Sequence, residues 1–250
     1  MIRTFFVLLY VVLFLLLGLP VLGVEWLISR KKEWRYASDL RQLRTVQWAF
    51  RCVCFFAGIR LTVIGEEHVP KDEPVLYIGN HRSDFDIVIS YARCPGLTGY
   101  ISKSSIERIP LLSTWMRRLY CLFIDRDDIK QSLKTILSGI EHIKNGISIC
   151  IYPEGGRGHG TDELDMLPFK EGSFKIAEKT GCKIVPMAIT GSADVFEAHE
   201  PWIKKTRVIL EYGEPIEVSQ LTKEEKKKLG QYCQSEITKM LKRHKDSAAG

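Results

Sequence analysis

The sequence has no CxxC pair, no internal repeat and no low-complexity linker. Its seven cysteines are an odd number. Cys52 and Cys54 lie two apart; Cys94, Cys121, Cys150, Cys182 and Cys233 are scattered, mostly in apolar runs. A disulfide framework or a zinc site needs paired spacing, so these thiols read as small buried hydrophobes in a reducing compartment. Nucleic-acid readers show basic, aromatic strand patterns or recognition helices, and neither occurs here. The glycines around residue 155 are not followed by Lys-Ser/Thr, which excludes a Walker phosphate loop.

What is present is ordinary in amount and uneven in placement. Hydrophobic residues at 45% and charged residues at 26% exclude a disordered chain. The net charge of +6 is a mild basic excess, suited to an anionic membrane surface or a phosphorylated substrate. A length of 250 residues accommodates one sizeable α/β domain plus an anchoring segment.

Residues 4–24 carry no charge and are dominated by Phe, Leu and Val, close to the roughly 20 residues that cross a bilayer core as a helix. Gly18 and Pro20 weaken the second half, which leaves a re-entrant or interfacial helix open. A cleaved signal peptide is the main rival. Arg30, Lys31, Lys32 and Arg35 follow almost at once, and the positive-inside bias then places the C-terminal bulk in the cytoplasm. From Val46 to Ile59, apolar residues at helical spacing predict an amphipathic helix on a membrane or, equally, a core helix. The division expected is an anchor with its amphipathic helix over 1–60 and an α/β domain over 61–245.

Short apolar runs at 75–78, 99–102, 121–124, 147–152, 184–189 and 208–212 read as strands. The clearest helix spans about 128–145, with Ile129, Leu133, Ile136, Leu137, Ile140 and Ile143 as one stripe. Asp127 or Asp128 is its N-cap and Gly146 its stop. A last helix opens at Lys223–Lys228 and buries Leu229, Tyr232, Cys233, Ile237 and Leu241; the tail past Lys245 is expected to fray. Alternating strands and helices predict a mixed, largely parallel sheet flanked by helices.

Four polar clusters fall at predicted strand ends, where open α/β sheets place their ligands. The first is Asn80-His81-Arg82-Ser83-Asp84-Phe85-Asp86. On a straight helix His81 and Asp86 would diverge by about 140°, so they meet only if His81 lies in the loop and Asp86 in the first helical turns. Ser83 or Asp84 would be the N-cap. Asp86 would then orient the imidazole and leave its other nitrogen as a base; Asp84 is the competing orienter, and a loop histidine beside a capping aspartate the bland reading. The second cluster, Tyr152 to Gly160, sets glycines around Arg157, as an anion-binding loop or a flexible turn. Arg126 among Asp125, Asp127 and Asp128 is the third, a ligand or a surface ion-pair cluster. Lys103 is the fourth.

Taken in order, these blocks resemble the glycerolipid acyltransferase family, specifically its bacterial-type 1-acylglycerol-3-phosphate acyltransferases. The family's Asn-His, four residues, Asp block is matched by Asn80, His81 and Asp86, and its arginine after an apolar strand by Arg126. Its Pro-Glu-Gly-Thr-Arg-Ser block is met by Pro153, Glu154, Gly155, Gly156, Arg157 and Gly158, and its Val-Pro strand by Val185-Pro186.

The resemblance implies that His81 deprotonates an acceptor hydroxyl, which attacks an acyl thioester directly. Asp86 would orient His81. Arg126 and Arg157, with Lys103, would hold the phosphate of lysophosphatidate, and Asn80, Glu154 and Gly155 would contribute to the substrate site. It implies no metal and no cofactor beyond acyl-CoA or acyl carrier protein as co-substrate, and a membrane-bound enzyme of phospholipid biosynthesis. The family's Thr and Ser of the third block are Gly156 and Gly158 here, so backbone N–H groups would have to replace two hydroxyls. That leaves glycerol 3-phosphate or another lysolipid as alternative acceptors. A thioester hydrolase and a non-catalytic membrane-binding protein of the same fold are the other readings.

Overall fold

A computed structural model describes residues 1–158 and 162–249 of the chain. It opens with three helices, α1 (Ile2–Leu17), α2 (Leu19–Ser29) and α3 (Lys32–Ala57). Then follow β1 (Arg60–Ile64), β2 (Leu76–Gly79), α4 (Phe85–Tyr91), β3 (Thr98–Lys103), α5 (Pro110–Arg118) and β4 (Leu122–Ile124). The second half holds α6 (Ile129–Lys144), β5 (Ser148–Ile151), α7 (Lys175–Thr180), β6 (Ile184–Thr190), β7 (Arg207–Tyr212), α8 (Lys223–Lys227) and α9 (Leu229–Ala249).

The strands form one sheet in the order β1-β7-β6-β2-β5-β3-β4. Every pair is parallel except β6–β7, so the mixed, largely parallel sheet read from the sequence is what forms. Strands β2 and β5 are buried along their whole length, because helices cover both faces. Alternation along β2 sends Tyr77 to one face and Leu76 and Ile78 to the other. Helices α1 to α5 pack on the Tyr77 side, while α6, α7 and α9 pack on the opposite side. With β2, β5, β3, β4 and β6 parallel, their carboxyl ends share one edge.

Strand β1 is absent from the sequence expectation. Its five residues alternate exposed and half-buried, the period of an edge strand in a run too short to stand out alone. The stretch after Val46 belongs to α3, and its stripe of Leu43, Val46, Ala49, Val53 and Ala57 is buried against the domain. That face fits the core-helix alternative, while Phe50 and Phe56 of the expected stripe are half-buried and Trp48 and Phe55 are more than half exposed. The stripe expected on α6 is also divided: Ile136, Ile140 and Ile143 are buried, whereas Ile129, Leu133 and Leu137 face solvent. Asp128 caps α6 as expected, accepting from the N–H groups of Lys130 and Gln131 at 2.9 and 3.1 Å. The single last helix is two, α8 and α9, and α9 continues through Ala249, past Lys245.

At the N-terminus no single helix among the described residues is long and apolar enough to cross a membrane. Together α1 and α2 meet that test by length and composition, but they bend by 40°. The bend falls at Gly18, where a Cβ would stand 2.5 Å from the Trp115 ring of α5, and Pro20 then sits in the first turn of α2, where a missing N–H costs nothing. Val7 and Leu22 turn inward, whereas Phe5, Leu8, Leu17 and Leu27 are more than half exposed. Glu25 ties α2 to α3 through Arg41 at 2.8 Å and Ser38 at 2.6 Å.

Candidate active site

Strand β2 ends at Gly79, and Asn80 extends its ladder with a side chain. The Asn80 amide donates to the Ile189 carbonyl at 2.9 Å and accepts from the Ile189 N–H at 2.8 Å, wholly buried. Asn80 is thus spent on backbone, locking the end of β2 to β6. The chain then leaves the sheet, and His81 lies in the loop before α4.

Asp86, in the first turn of α4 and fully buried, turns back toward that loop. Its Oδ2 takes the His81 Nδ1 at 2.9 Å and the backbone N–H groups of Arg82 and Ser83 at 2.8 Å each. An oxygen that accepts from two amides is an acceptor toward the imidazole as well, so the shared proton belongs on Nδ1. Nε2 is left as the basic nitrogen. Asp84 is the N-cap residue of α4 but makes no capping bond; the Ser83 hydroxyl accepts from the Phe85 N–H instead, at 3.0 Å.

The imidazole plane is fixed by Tyr152, whose ring stacks on it at 4.5 Å and 19°. Burial pushes the Tyr152 phenol well above its usual range. It stays neutral, against the Ser90 hydroxyl at 3.1 Å, which itself donates to the Asp86 carbonyl at 2.6 Å. Gly79 makes room: a Cβ there would meet the Tyr152 ring at 3.0 Å. The sequence reading includes Tyr152 in a cluster without giving it a role; its only local signal is its position between a strand and Pro153.

Glu154 also acts on the backbone. Buried, it accepts from the His81 N–H at 2.7 Å through one oxygen and from the Leu167 N–H at 2.8 Å through the other. Burial raises its pKa, and the two amide donors work against that rise. The His81 carbonyl in turn accepts from the Gly158 N–H at 3.0 Å. One loop therefore grips both backbone groups of His81. The Gly158 N–H cannot also serve as a substitute phosphate donor, and the Gly155 N–H is committed to Tyr152 at 3.2 Å. The N–H groups of Gly156 and Arg157 have no partner among the described residues. His159 and Gly160, the last members of this cluster, lie outside the described residues.

The cations are spread along the edge. Arg157 follows β5, beside His81. Lys103 ends β3 and Arg126 follows β4, so at ~4.8 Å per strand they start about 10 and 14 Å from His81. Arg126 lines a groove of ≈ 660 Å³ between α6 and α7, with Ile129, Leu133, Leu137, Lys170 and Lys179. Partial enclosure there lowers its pKa, opposed by Asp127. The groove runs back toward the glycine loop, for a Cβ on Gly155 would stand 2.7 Å from Lys170 Nζ.

A histidine held by a buried carboxylate, with no protein nucleophile beside it among the described residues, at the strand ends of a largely parallel sheet, fits a transferase or hydrolase acting by direct attack. The acyltransferase family model matches residues 60–190, just over half of the chain, and the chain belongs to that family. It is similar to the 1-acyl-sn-glycerol-3-phosphate acyltransferase of Saccharomyces cerevisiae, 29% identical over 78% of this chain and 63% of that protein. It is similar also to the Borreliella burgdorferi protein of the same name, 31% identical over 75% of this chain and 74% of that one. The Escherichia coli enzyme of that name is 30% identical over 64% of each. In fold it matches the crystal structure of the 1-acyl-sn-glycerophosphate acyltransferase of Thermotoga maritima. The TM-score is 0.77 at 22% identity, over 96% of this chain and 95% of that one.

Proposed function

We propose that this acyltransferase moves a fatty acyl group from a thioester to the sn-2 hydroxyl of 1-acyl-sn-glycerol 3-phosphate, giving phosphatidic acid for phospholipid biosynthesis. The observation that carries the chemistry is the His81–Asp86 pair at 2.9 Å, with Nε2 making no hydrogen bond among the described residues. His81 Nε2 takes the proton as the hydroxyl oxygen attacks the thioester carbonyl carbon. Collapse of the tetrahedral adduct breaks the carbon–sulfur bond, and the thiolate leaves with the proton from His81. Asp86 holds the imidazolium between the two steps. Arg157, beside the base, is the first candidate for the acceptor phosphate, and the names of the relatives support that acceptor. The basic-rimmed apolar groove along α6 suits an amphiphile, with acyl-CoA and acyl carrier protein both retained as donors. The apolar, bent α1–α2 pair supports a membrane-bound enzyme, and the Lys/Arg cluster after it a catalytic domain facing the cytoplasm.

Acyl transfer from a labelled thioester to 1-acylglycerol 3-phosphate, wild type against His81→Ala, tests this reading. Phosphatidate from wild type, with kcat lowered about 10²–10⁴-fold in the variant, is expected. No phosphatidate from either protein would overturn the acceptor. Gly156 and Gly158 favour a second reading, in which a different lysolipid or glycerol 3-phosphate is the acceptor. A panel of acceptors that left lysophosphatidate in last place would establish it.

A further inference from the structure

Arg157 is already engaged. Its Nη1 lies 3.1 Å from Glu197 Oε1 and 3.2 Å from Asp84 Oδ2, so two carboxylates share one guanidinium. Glu197 stands in the second of two short 3-10 turns, Ala193–Val195 and Glu197–His199, that follow β6. The same Oε1 accepts from the Asp84 N–H at 2.8 Å. Glu197 thus spans from the segment after β6 to both the α4 N-terminus and the glycine loop.

This contact is not that of a finished structural clamp. Glu197 Oε2 is buried and has no partner among the described residues, a state it shares with Asp86 Oδ1, so half of its carboxylate is not committed to holding the fold. The local charge is also unbalanced, with two acids on one cation. Glu154, by contrast, uses both of its oxygens on amides and is the clamp of this site. Glu197 occupies the position on Arg157 that an anionic acceptor group needs.

We propose that Glu197 is a specificity-determining residue: a built-in carboxylate competitor that holds Arg157 until a phosphomonoester displaces it. The inference rests on the phosphate-acceptor reading above. A phosphomonoester carries close to two negative charges near neutral pH and presents three oxygens to a guanidinium fork. It outcompetes a carboxylate of single charge. A phosphodiester head, with one charge and two free oxygens, matches the carboxylate and displaces it poorly. The pair of acids therefore sets a threshold of charge for the acceptor, at a loop that lacks the two hydroxyl side chains of its family pattern.

The test uses the full chain in detergent micelles, with Glu197→Gln and Asp84→Asn. Glutamine keeps an oxygen for the Asp84 N–H while removing the charge. Glu197→Gln is expected to lower KM for lysophosphatidate about three- to tenfold, with KM for acyl-CoA unchanged. It should also narrow the preference for lysophosphatidate over lysophosphatidylcholine, a phosphodiester. In an Arg157→Ala background the same substitution should do nothing. An unchanged or raised KM for lysophosphatidate, or an equal shift for both acceptors, would overturn the proposal. If Glu197→Gln unfolds at lower temperature, Asp84→Asn replaces it with the same expectation. Should wild type make no phosphatidate at all, calorimetric titration with inorganic phosphate still decides: tighter binding by Glu197→Gln supports the competitor, and equal binding refutes it.

Discussion

At the scale of single residues, the two aspartates near His81 differ in what surrounds them. Asp86 is fully buried and accepts three hydrogen bonds on one oxygen, while the Asp84 side chain is 70% exposed. An Asp86→Asn variant presents an NH₂ to the loop or to the imidazole, and either choice breaks an accepted bond or favours the wrong tautomer. We expect it to lose kcat at least tenfold more than Asp84→Asn; the reverse ranking would move the orienting role to Asp84. The pairing of His81 with Asp86 was legible because a five-residue spacing across a loop-to-helix junction leaves one way for the groups to meet. Asn80 and Glu154 were not legible in the same way. Their partners are backbone groups of Ile189, His81 and Leu167, brought close only by the sheet, and no spacing rule announces a side chain that bonds to distant backbone.

For the secondary-structure elements, α9 has a role its sequence does not declare. His244, buried in it, reaches Glu211 on β7 through Nε2 at 2.6 Å and the Thr190 hydroxyl at the end of β6 through Nδ1 at 2.8 Å. Lys245 pairs with Asp162 at 2.7 Å, and the Asp162 carbonyl accepts from Arg82 at 2.8 Å. The last helix is thereby bolted to the residues that flank the base. Burial lowers the His244 pKa, against the pull of Glu211. A histidine with a lowered folded pKa contributes stability that is present above its ordinary value of about 6.5 and is lost as pH falls through the folded value. The melting temperature should therefore drop below about pH 6.5, and His244→Gln should flatten that segment of the profile; an unchanged slope would show that other groups set it. Helix α6 was legible from its period and cap, while β1 was not, since five residues of half-buried edge strand carry little signal until β7 is beside them.

At the scale of the whole molecule, the apolar, bent α1–α2 pair packs on one side of the sheet and the groove along α6 lies on the other. Deleting residues 1–24 removes more than the proposed anchor, because Val7 and Leu22 belong to the core. A cleaner experiment is Phe5→Asp with Leu8→Asp, both more than half exposed. We expect this pair to release the protein from membranes in a flotation assay without changing its melting temperature; full retention on membranes would assign the attachment elsewhere. The largely parallel sheet was legible from the rhythm of strand and helix, because burial on both faces demands continuous apolar runs. The 40° bend between α1 and α2 was only half legible, since Gly18 and Pro20 mark the place but Trp115 packs against it.

Among the described residues strand β1 pairs only with β7, and that has a consequence for how the chain is made. Synthesis at about 5–20 residues per second delivers β7 roughly 7–30 s after β1 has left the ribosome. Throughout that interval α1, α2 and α3 have been made while β1 lacks its strand partner. On the proposed membrane attachment, the nascent chain can settle on a lipid surface before the strand-end edge exists, and the sheet then closes from a tethered start. An unpaired strand held at a surface is kept away from other copies of itself, the encounter that open edges most invite. The order of the elements is then also an order of assembly, in which the segment proposed to attach is made before the edge that carries His81 is closed.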